Sequence, residues 1–208
     1  DTLDLVQLHC PPREVYEHNG VFDALDRFVE AGRIRHWGVS VETVEEATRA
    51  LDRPNLASIQ IVYNVFRQKP AEALFPLAKE RGVAVIVRVP LASGLLTGKM
   101  SAQSTFAADD HRAFNRAGEA FDVGETFAGV PFEAGLEAVE ALRPLVPGDA
   151  SMAQWALRWI LMEEAVSVVI PGARRPDQAR ANAGAADLAP LSPEAMEAAR
   201  AVYLEHVA

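Results

Sequence analysis

Gly82-Val83-Ala84-Val85-Ile86-Val87-Arg88-Val89 decides the fold. Val83 to Val89 is an almost unbroken apolar run, the signature of a strand buried on both faces, and such strands belong to parallel sheets. The run follows a helical stretch from about Ala71 to Arg81, which Gly82 stops as a C′ glycine. Working towards the N-terminus, the same unit recurs. A strand from Ala57 to Tyr63 precedes that helix, and a strand from Ile34 to Ser40 leads into a helix from Val44 to Leu51. Leu3 to His9 is a strand closed by Pro11 and Pro12, since proline offers no N–H to a ladder. After Asn19-Gly20, the residues Val21, Phe22, Leu25, Phe28 and Val29 follow the 3.6-residue period of a helix, with Gly32 placed to end it.

Towards the C-terminus, a low-hydrophobicity stretch from Pro90 to about Val130 reads as a long loop, the least ordered part of the chain. Helices over 132–145 and 151–162 precede a last strand, Val166 to Ile170. Helices over 176–185 and 192–206 follow it. Five strands, each followed by helical sequence, give an α/β fold with a parallel sheet, open or closed into a barrel. An open dinucleotide-binding sheet carries a G-x-G-x-x-G turn after its first strand, and none is present. A (β/α)8 TIM barrel has eight units in about 250 residues. Five units in 208 residues leave two readings: an unusual α/β domain, or an incomplete barrel of about five βα units.

Composition narrows the functional classes. Half the residues are hydrophobic and 24% are charged, too apolar for disorder. No apolar run reaches the roughly 18 residues of a spanning helix. The net charge of −9 argues against general binding of nucleic acid. One cysteine, Cys10, excludes an intramolecular disulfide framework and a cysteine-based zinc site, and the scattered histidines form no H-x-x-x-H, so no metal is expected. The absence of a basic, apolar leader points to a cytoplasmic protein. A chain that starts at Asp1, already next to a core strand, reads as a fragment or a processed product.

Polar side chains collect at the C-terminal ends of the strands, where parallel barrels meet ligands. Those ends read Val6-Gln7-Leu8-His9, Trp37-Gly38-Val39-Ser40, Gln60 with Tyr63-Asn64, Arg88-Val89-Pro90-Leu91-Ala92-Ser93-Gly94-Leu95-Leu96-Thr97-Gly98-Lys99, and Ile170-Pro171-Gly172-Ala173-Arg174. In that order they resemble the later strands of the aldo/keto reductase family, strands four to eight of a TIM barrel, and the resemblance extends from residue 1 to about 190. It implies a single domain over residues 1–208 lacking its N-terminal units, NADPH as cofactor, and a small-molecule aldehyde or ketone as substrate.

The resemblance also assigns roles. His9 matches the family's catalytic histidine, which orients the substrate carbonyl. The Asp, Tyr and Lys of the family's tetrad have no match: Tyr16, Tyr63 and Tyr203 lie elsewhere, and no lysine precedes His9. Ser40 and Gln60 match contacts to the nicotinamide carboxamide; the bland alternatives are a helix cap or turn residue and a strand polar residue. Val41 stands where the family often has Asn.

Arg88 holds the place of an aromatic that lies on the nicotinamide ring, and it either stacks there or pairs with a carboxylate. Leu91, Ser93 and Leu96 fall in a turn that resembles the pyrophosphate cradle. Lys99 is either a charge over it or a solvated loop lysine. Gly172, Ala173 and Arg174 lead into a helix start, where N–H groups favour an anion, and Arg174 or Arg175 is a partner for an adenosine 2′-phosphate. Gln178 and Asn182 share a helix face and match adenine contacts, although Ala181 replaces a common Glu.

Phe106, His111, Phe114, Phe121 and Phe127 give the long loop an aromatic surface for substrate or for the barrel rim. Without the upstream acid, two further readings stand beside the reductase: a non-catalytic nicotinamide-binding module, and an inactive remnant with two open sheet edges.

Overall fold

The computed structural model describes all 208 residues. Its sheet has five strands: β1 (Leu3–His9), β2 (Ile34–Ser40), β3 (Leu56–Val62), β4 (Ala84–Arg88) and β5 (Val166–Val169), in the order β1-β2-β3-β4-β5. Spatial order equals chain order. A doubly wound sheet reverses its order at a switch point, whereas each unit here adds its strand on the same side of the last, as consecutive strands of a (β/α)8 barrel do. The pairs β1–β2 and β2–β3 are parallel.

The strands were legible from the sequence to within about a residue at each end. The terminal strands of the sheet carry its exposed apolar residues: Leu3 and Leu5 are 61% and 41% exposed on β1, and Val168 is 44% exposed on β5.

The chain folds as two compact units. The first comprises residues 1–61, 69–87 and 165–168. It contains the helices α1 (Arg13–Glu17), α2 (Gly20–Glu30), α3 (Val44–Leu51) and α4 (Lys69–Glu80). Helix α3 starts at a capping box, in which Thr43 Oγ1 accepts from the Glu46 N–H and the Glu46 carboxylate accepts from the Thr43 N–H. That arrangement satisfies donors the helix cannot use itself. Helix α2 is fastened to β2 by Trp37 Nε1, which donates to Asp26 Oδ1 at 2.8 Å, while Phe22 and Trp37 pack tilted at 5.5 Å. Gly32 adopts φ 65°, the left-handed conformation that lets the chain turn from α2 into β2.

A second glycine is fixed by space. A Cβ on Gly38 would lie 2.2 Å from Ser58 Oγ and 2.6 Å from the Ser58 carbonyl oxygen, so any side chain there collides with β3.

The second unit comprises residues 62–68, 88–164 and 169–208. Its helices are α5 (His111–Phe114), α6 (Phe132–Leu142), α7 (Met152–Leu161), α8 (Pro176–Ala183) and α9 (Pro193–His206), with 3-10 turns before α5 (Ala92–Thr97), between α5 and α6 (Val123–Glu125 and Phe127–Gly129), after α6 (Arg143–Leu145) and after α8 (Gly184–Asp187). Trp155, Leu95, Leu96, Phe127, Leu142 and Ile160 are buried to 1% exposure or less and form its core.

The segment 90–130 departs from the sequence expectation of an irregular loop. It is built from short 3-10 turns and α5, and Phe106, Phe127 and Phe132 pack against one another at 5.0–5.9 Å. Asn115, fully buried, accepts from the N–H groups of Ala120 and Phe121 and donates to Thr126. These turns repeat no hydrophobic period, and one buried amide side chain does the work that a helix ladder does elsewhere.

Candidate active site

The ladder of the first unit places three of the singled-out residues side by side. In register, His9 is opposite Ser40, and Ser40 is opposite Gln60. They therefore form one row across the C-terminal ends of three neighbouring strands, about 10 Å wide at the usual strand spacing. His9 is exposed, Ser40 is buried and Gln60 is half-buried. The ladder continues one step beyond the row, through the Cys10 N–H to the Ser40 carbonyl and the Val41 N–H to the Gln60 carbonyl.

Gln7 is a residue that sequence reasoning missed. Its Nε2 donates to Ser58 Oγ at 3.1 Å, and its Oε1 accepts from Gln60 Nε2 at 2.9 Å. The Gln60 amide is thereby oriented, with Oε1 left to accept. Gln7 and His9 are two apart and so share a sheet face, a signal present in the sequence. Cys10, in the left-handed region at φ 41°, places Sγ 3.6 Å from Ser40 Oγ.

Tyr16 and Tyr63 are poor acids. Tyr16 and Tyr63 are buried, and burial above all pushes both hydroxyls above the ordinary phenol range, with nearby carboxylates (Glu46 for Tyr16, Glu163 for Tyr63) adding to it. A general acid works best with a pKa near the operating pH, so both are shifted the wrong way for that task.

In the second unit, a cavity of about 490 Å³ is lined by Leu91, Ser93, Gly94, His111, Glu125 and the turn Gly172-Ala173-Arg174 with Gln178. The segment behind one wall has left-handed backbone at four positions: Val89, Ala92, Ser93 and Gly94 have φ of 50°, 48°, 53° and 102°. Non-glycine residues avoid this region at a cost of about 1–3 kcal/mol each, so a cluster of them marks a shaped turn rather than a random one. Successive residues of this kind turn their N–H groups to form a concavity suited to anions. Ser93 pins the turn: its Oγ donates to the Glu125 carbonyl at 2.7 Å and accepts from the Phe127 N–H at 3.1 Å.

The other singled-out residues are placed as follows. Arg88 is buried and salt-bridged through Nη1 to Glu125 Oε1, the carboxylate pairing of its two sequence readings. The Leu96 side chain is fully buried and its N–H donates to the Leu91 carbonyl, so it builds the turn from behind. Lys99 is exposed and lies outside the cavity lining. Gln178 Oε1 accepts from the N–H groups of Arg174 and Arg175, and Asn182 Nδ2 donates to the Gly172 carbonyl at 3.2 Å; both shape the turn before α8. Arg175 is engaged by Asp177 at 3.0 Å, whereas Arg174 faces the cavity free of a carboxylate.

The sequence profile of the Aldo/keto reductase family matches residues 1–204. The chain belongs to that family. Aldo-keto reductase YhdN of Bacillus subtilis is 32% identical over 184 residues, covering 87% of this chain and 52% of YhdN. Aldo-keto reductase yakc [NADP(+)] of Schizosaccharomyces pombe is 24% identical, covering 89% of this chain and 53% of that protein. The solved structure of a glycerol dehydrogenase from Gluconobacter oxydans superposes with a TM-score of 0.78 at 28% identity, covering 99% of this chain and 60% of that one.

The chain thus spans about half the length of the curated relatives it matches. This aldo/keto reductase chain has no group of three or more His, Cys, Asp or Glu arranged to hold a metal ion, and no helix long and apolar enough to cross a membrane.

Proposed function

We propose that the protein is an NADPH-dependent oxidoreductase that reduces aldehydes or ketones to alcohols, and that residues 1–208 are the later five βα units of its single catalytic domain. The observation that carries this reading is the row His9–Ser40–Gln60 in register across three strand ends. A bound reduced nicotinamide supplies a hydride. Ser40 and Gln60, the latter aimed by Gln7, hold its carboxamide. His9 donates a hydrogen bond to the carbonyl oxygen of the substrate, fixing the oxygen and stabilising the charge that develops on it. The proton for that oxygen comes from a tyrosine in preceding βα units, beside its lysine and aspartate.

The donor set of the second unit fits the rest of the cofactor. The left-handed turn at Leu91, Ser93 and Gly94 and the start of α8 at Gly172 and Ala173 offer backbone N–H groups to a diphosphate. Arg174 is the cation for an adenosine 2′-phosphate, and Gln178 and Asn182 form the edge nearest the adenine. Arg88 and Leu96 support the turn through the Glu125 pair and the core, and Lys99 adds positive charge beyond the cavity. A single cysteine, Cys10, in 208 residues is in keeping with a cytoplasmic protein, and the partner is a small carbonyl compound.

Arg174 gives the test of cofactor choice. Arg174→Ala weakens NADPH binding about tenfold, the size expected for a charge-assisted phosphate contact, and leaves NADH binding within twofold. Fluorescence titration with both nucleotides checks it. Equal weakening of the two would remove Arg174 from the 2′-phosphate.

A further inference from the structure

We propose that Ser58 and Gly38 are positioning residues for the nicotinamide end of the site, acting through Gln7 on the Gln60 amide. The inference deepens the nicotinamide-cofactor reading above and rests on it.

A second row of residues lies one layer below His9–Ser40–Gln60. Residues two apart in a strand share a sheet face, so Gln7 stands below His9, Gly38 below Ser40 and Ser58 below Gln60. The register pairs Gln7 with Gly38 and Gly38 with Ser58. An irregularity in β3 makes this alignment. Trp37 is opposite Leu56, but the next residue, Gly38, is opposite Ser58, so the ladder passes over Ala57. In an unbroken register Ala57 would face Gly38 and Ile59 would face Ser40. The extra residue re-aims β3, as bulges beside active sites do, and brings both Ser58 and Gln60 into line with the residues of β1 and β2.

The outer members of the lower row start about 10 Å apart, two strand spacings, yet Gln7 Nε2 reaches Ser58 Oγ at 3.1 Å. The Gln7 side chain crosses over β2 at a position where β2 carries no side chain. A Cβ on Gly38 would lie 2.2 Å from Ser58 Oγ and 3.1 Å from Gln7 Nε2, in the gap that this hydrogen bond spans. Glycine at 38 therefore admits the bridge, and Ser58 receives it.

The bridge decides how Gln60 faces the site. An amide side chain has a donor end and an acceptor end. Gln60 Nε2 donates to Gln7 Oε1 at 2.9 Å, and Gln7 presents that oxygen while its own nitrogen is engaged by Ser58. The chain of donors runs from Gln60 through Gln7 to Ser58, and it leaves Gln60 Oε1 to accept from a carboxamide N–H. Ser58 is 3% exposed, so solvent does not stand in for its hydroxyl. Without that hydroxyl the Gln7 amide loses its hold on β3, and Gln60 loses the partner that keeps its nitrogen turned away from the ligand.

The test compares NADPH with 2′-phospho-ADP-ribose, which is the same cofactor without its nicotinamide. Both are titrated by calorimetry into the whole gene product as wild type, Ser58→Ala, Gln7→Ala and the double variant, with thermal melting as the folding control. Ser58→Ala is expected to weaken NADPH about fivefold, as loss of one neutral hydrogen bond does, and to leave 2′-phospho-ADP-ribose within about twofold. Gln7→Ala gives the same split. Because Ser58 acts through Gln7, adding Ser58→Ala to Gln7→Ala changes NADPH affinity by no more than about twofold. Unchanged NADPH affinity in Ser58→Ala, equal weakening of both ligands, or losses that multiply in the double variant would each overturn the proposal and leave the cofactor reading in place. Failure of the wild type to bind either ligand overturns the cofactor reading itself.

Discussion

His9→Ala, made in the whole gene product, lowers kcat for aldehyde reduction by about 10²–10³-fold and leaves NADPH affinity within twofold. The size follows from removing a placed hydrogen-bond donor from an oxygen that gains negative charge in the transition state. The split between kcat and affinity follows from the fold. His9 is the exposed end of the row, while Ser40 and Gln60, which hold the carboxamide in our reading, are engaged with β1 and Gln7 and do not depend on the imidazole. Steady-state kinetics with one aldehyde, together with NADPH titration of the same preparation, checks both halves. A parallel loss of affinity would mean that His9 holds the cofactor or the fold rather than the substrate oxygen.

Glu125→Ala gives the largest expected loss of stability, about 3 kcal/mol, because it takes the carboxylate away from an arginine that is 6% exposed. Arg88→Met removes the buried charge and leaves the Glu125 carboxylate, whose side chain is 27% exposed and can be hydrated, so it is expected to cost less than leaving the buried guanidinium unpaired. Urea denaturation of the two variants, compared at constant m, measures the difference. Equal losses in the two would show that the Arg88 stem, not the ion pair, carries the stability. The pair also matters for the site, because Glu125 is bound through its carbonyl to Ser93; loss of its carboxylate frees an uncompensated guanidinium beneath the cradle.

Much of this was legible in the sequence, for physical reasons that can be named. Continuous apolar runs such as Val83 to Val89 announce strands buried on both faces, and Gly32 and Gly82 mark helix ends because each needs positive φ. The strand-end residues His9, Ser40 and Gln60 could be picked out individually, yet their alignment is a property of register, which depends on how β1, β2 and β3 pair.

The segment 90–130 reads as loose in the sequence because its order comes from isolated contacts. Ser93, Asn115 and the Asp110–Arg112 pair are ordinary polar residues in a sequence and become pins only in three dimensions. Arg88 illustrates the same limit. One position earlier or later on β4, or without Glu125 37 residues onward, its alternative reading over the nicotinamide would have stood. The competition between Arg174 and Arg175 was likewise open until Asp177 was seen to engage the second.

Our inference that this chain is the cofactor-holding part of a carbonyl reductase can be checked by following NADPH absorbance at saturating cofactor while a panel of aldehydes and ketones is added to the purified gene product. We expect oxidation of NADPH in stoichiometric proportion to alcohol formed, faster than with NADH, and slowed about 10²–10³-fold by His9→Ala. Saturable NADPH binding with no oxidation by any carbonyl compound would contradict it, and would leave a nicotinamide-binding protein that does not reduce.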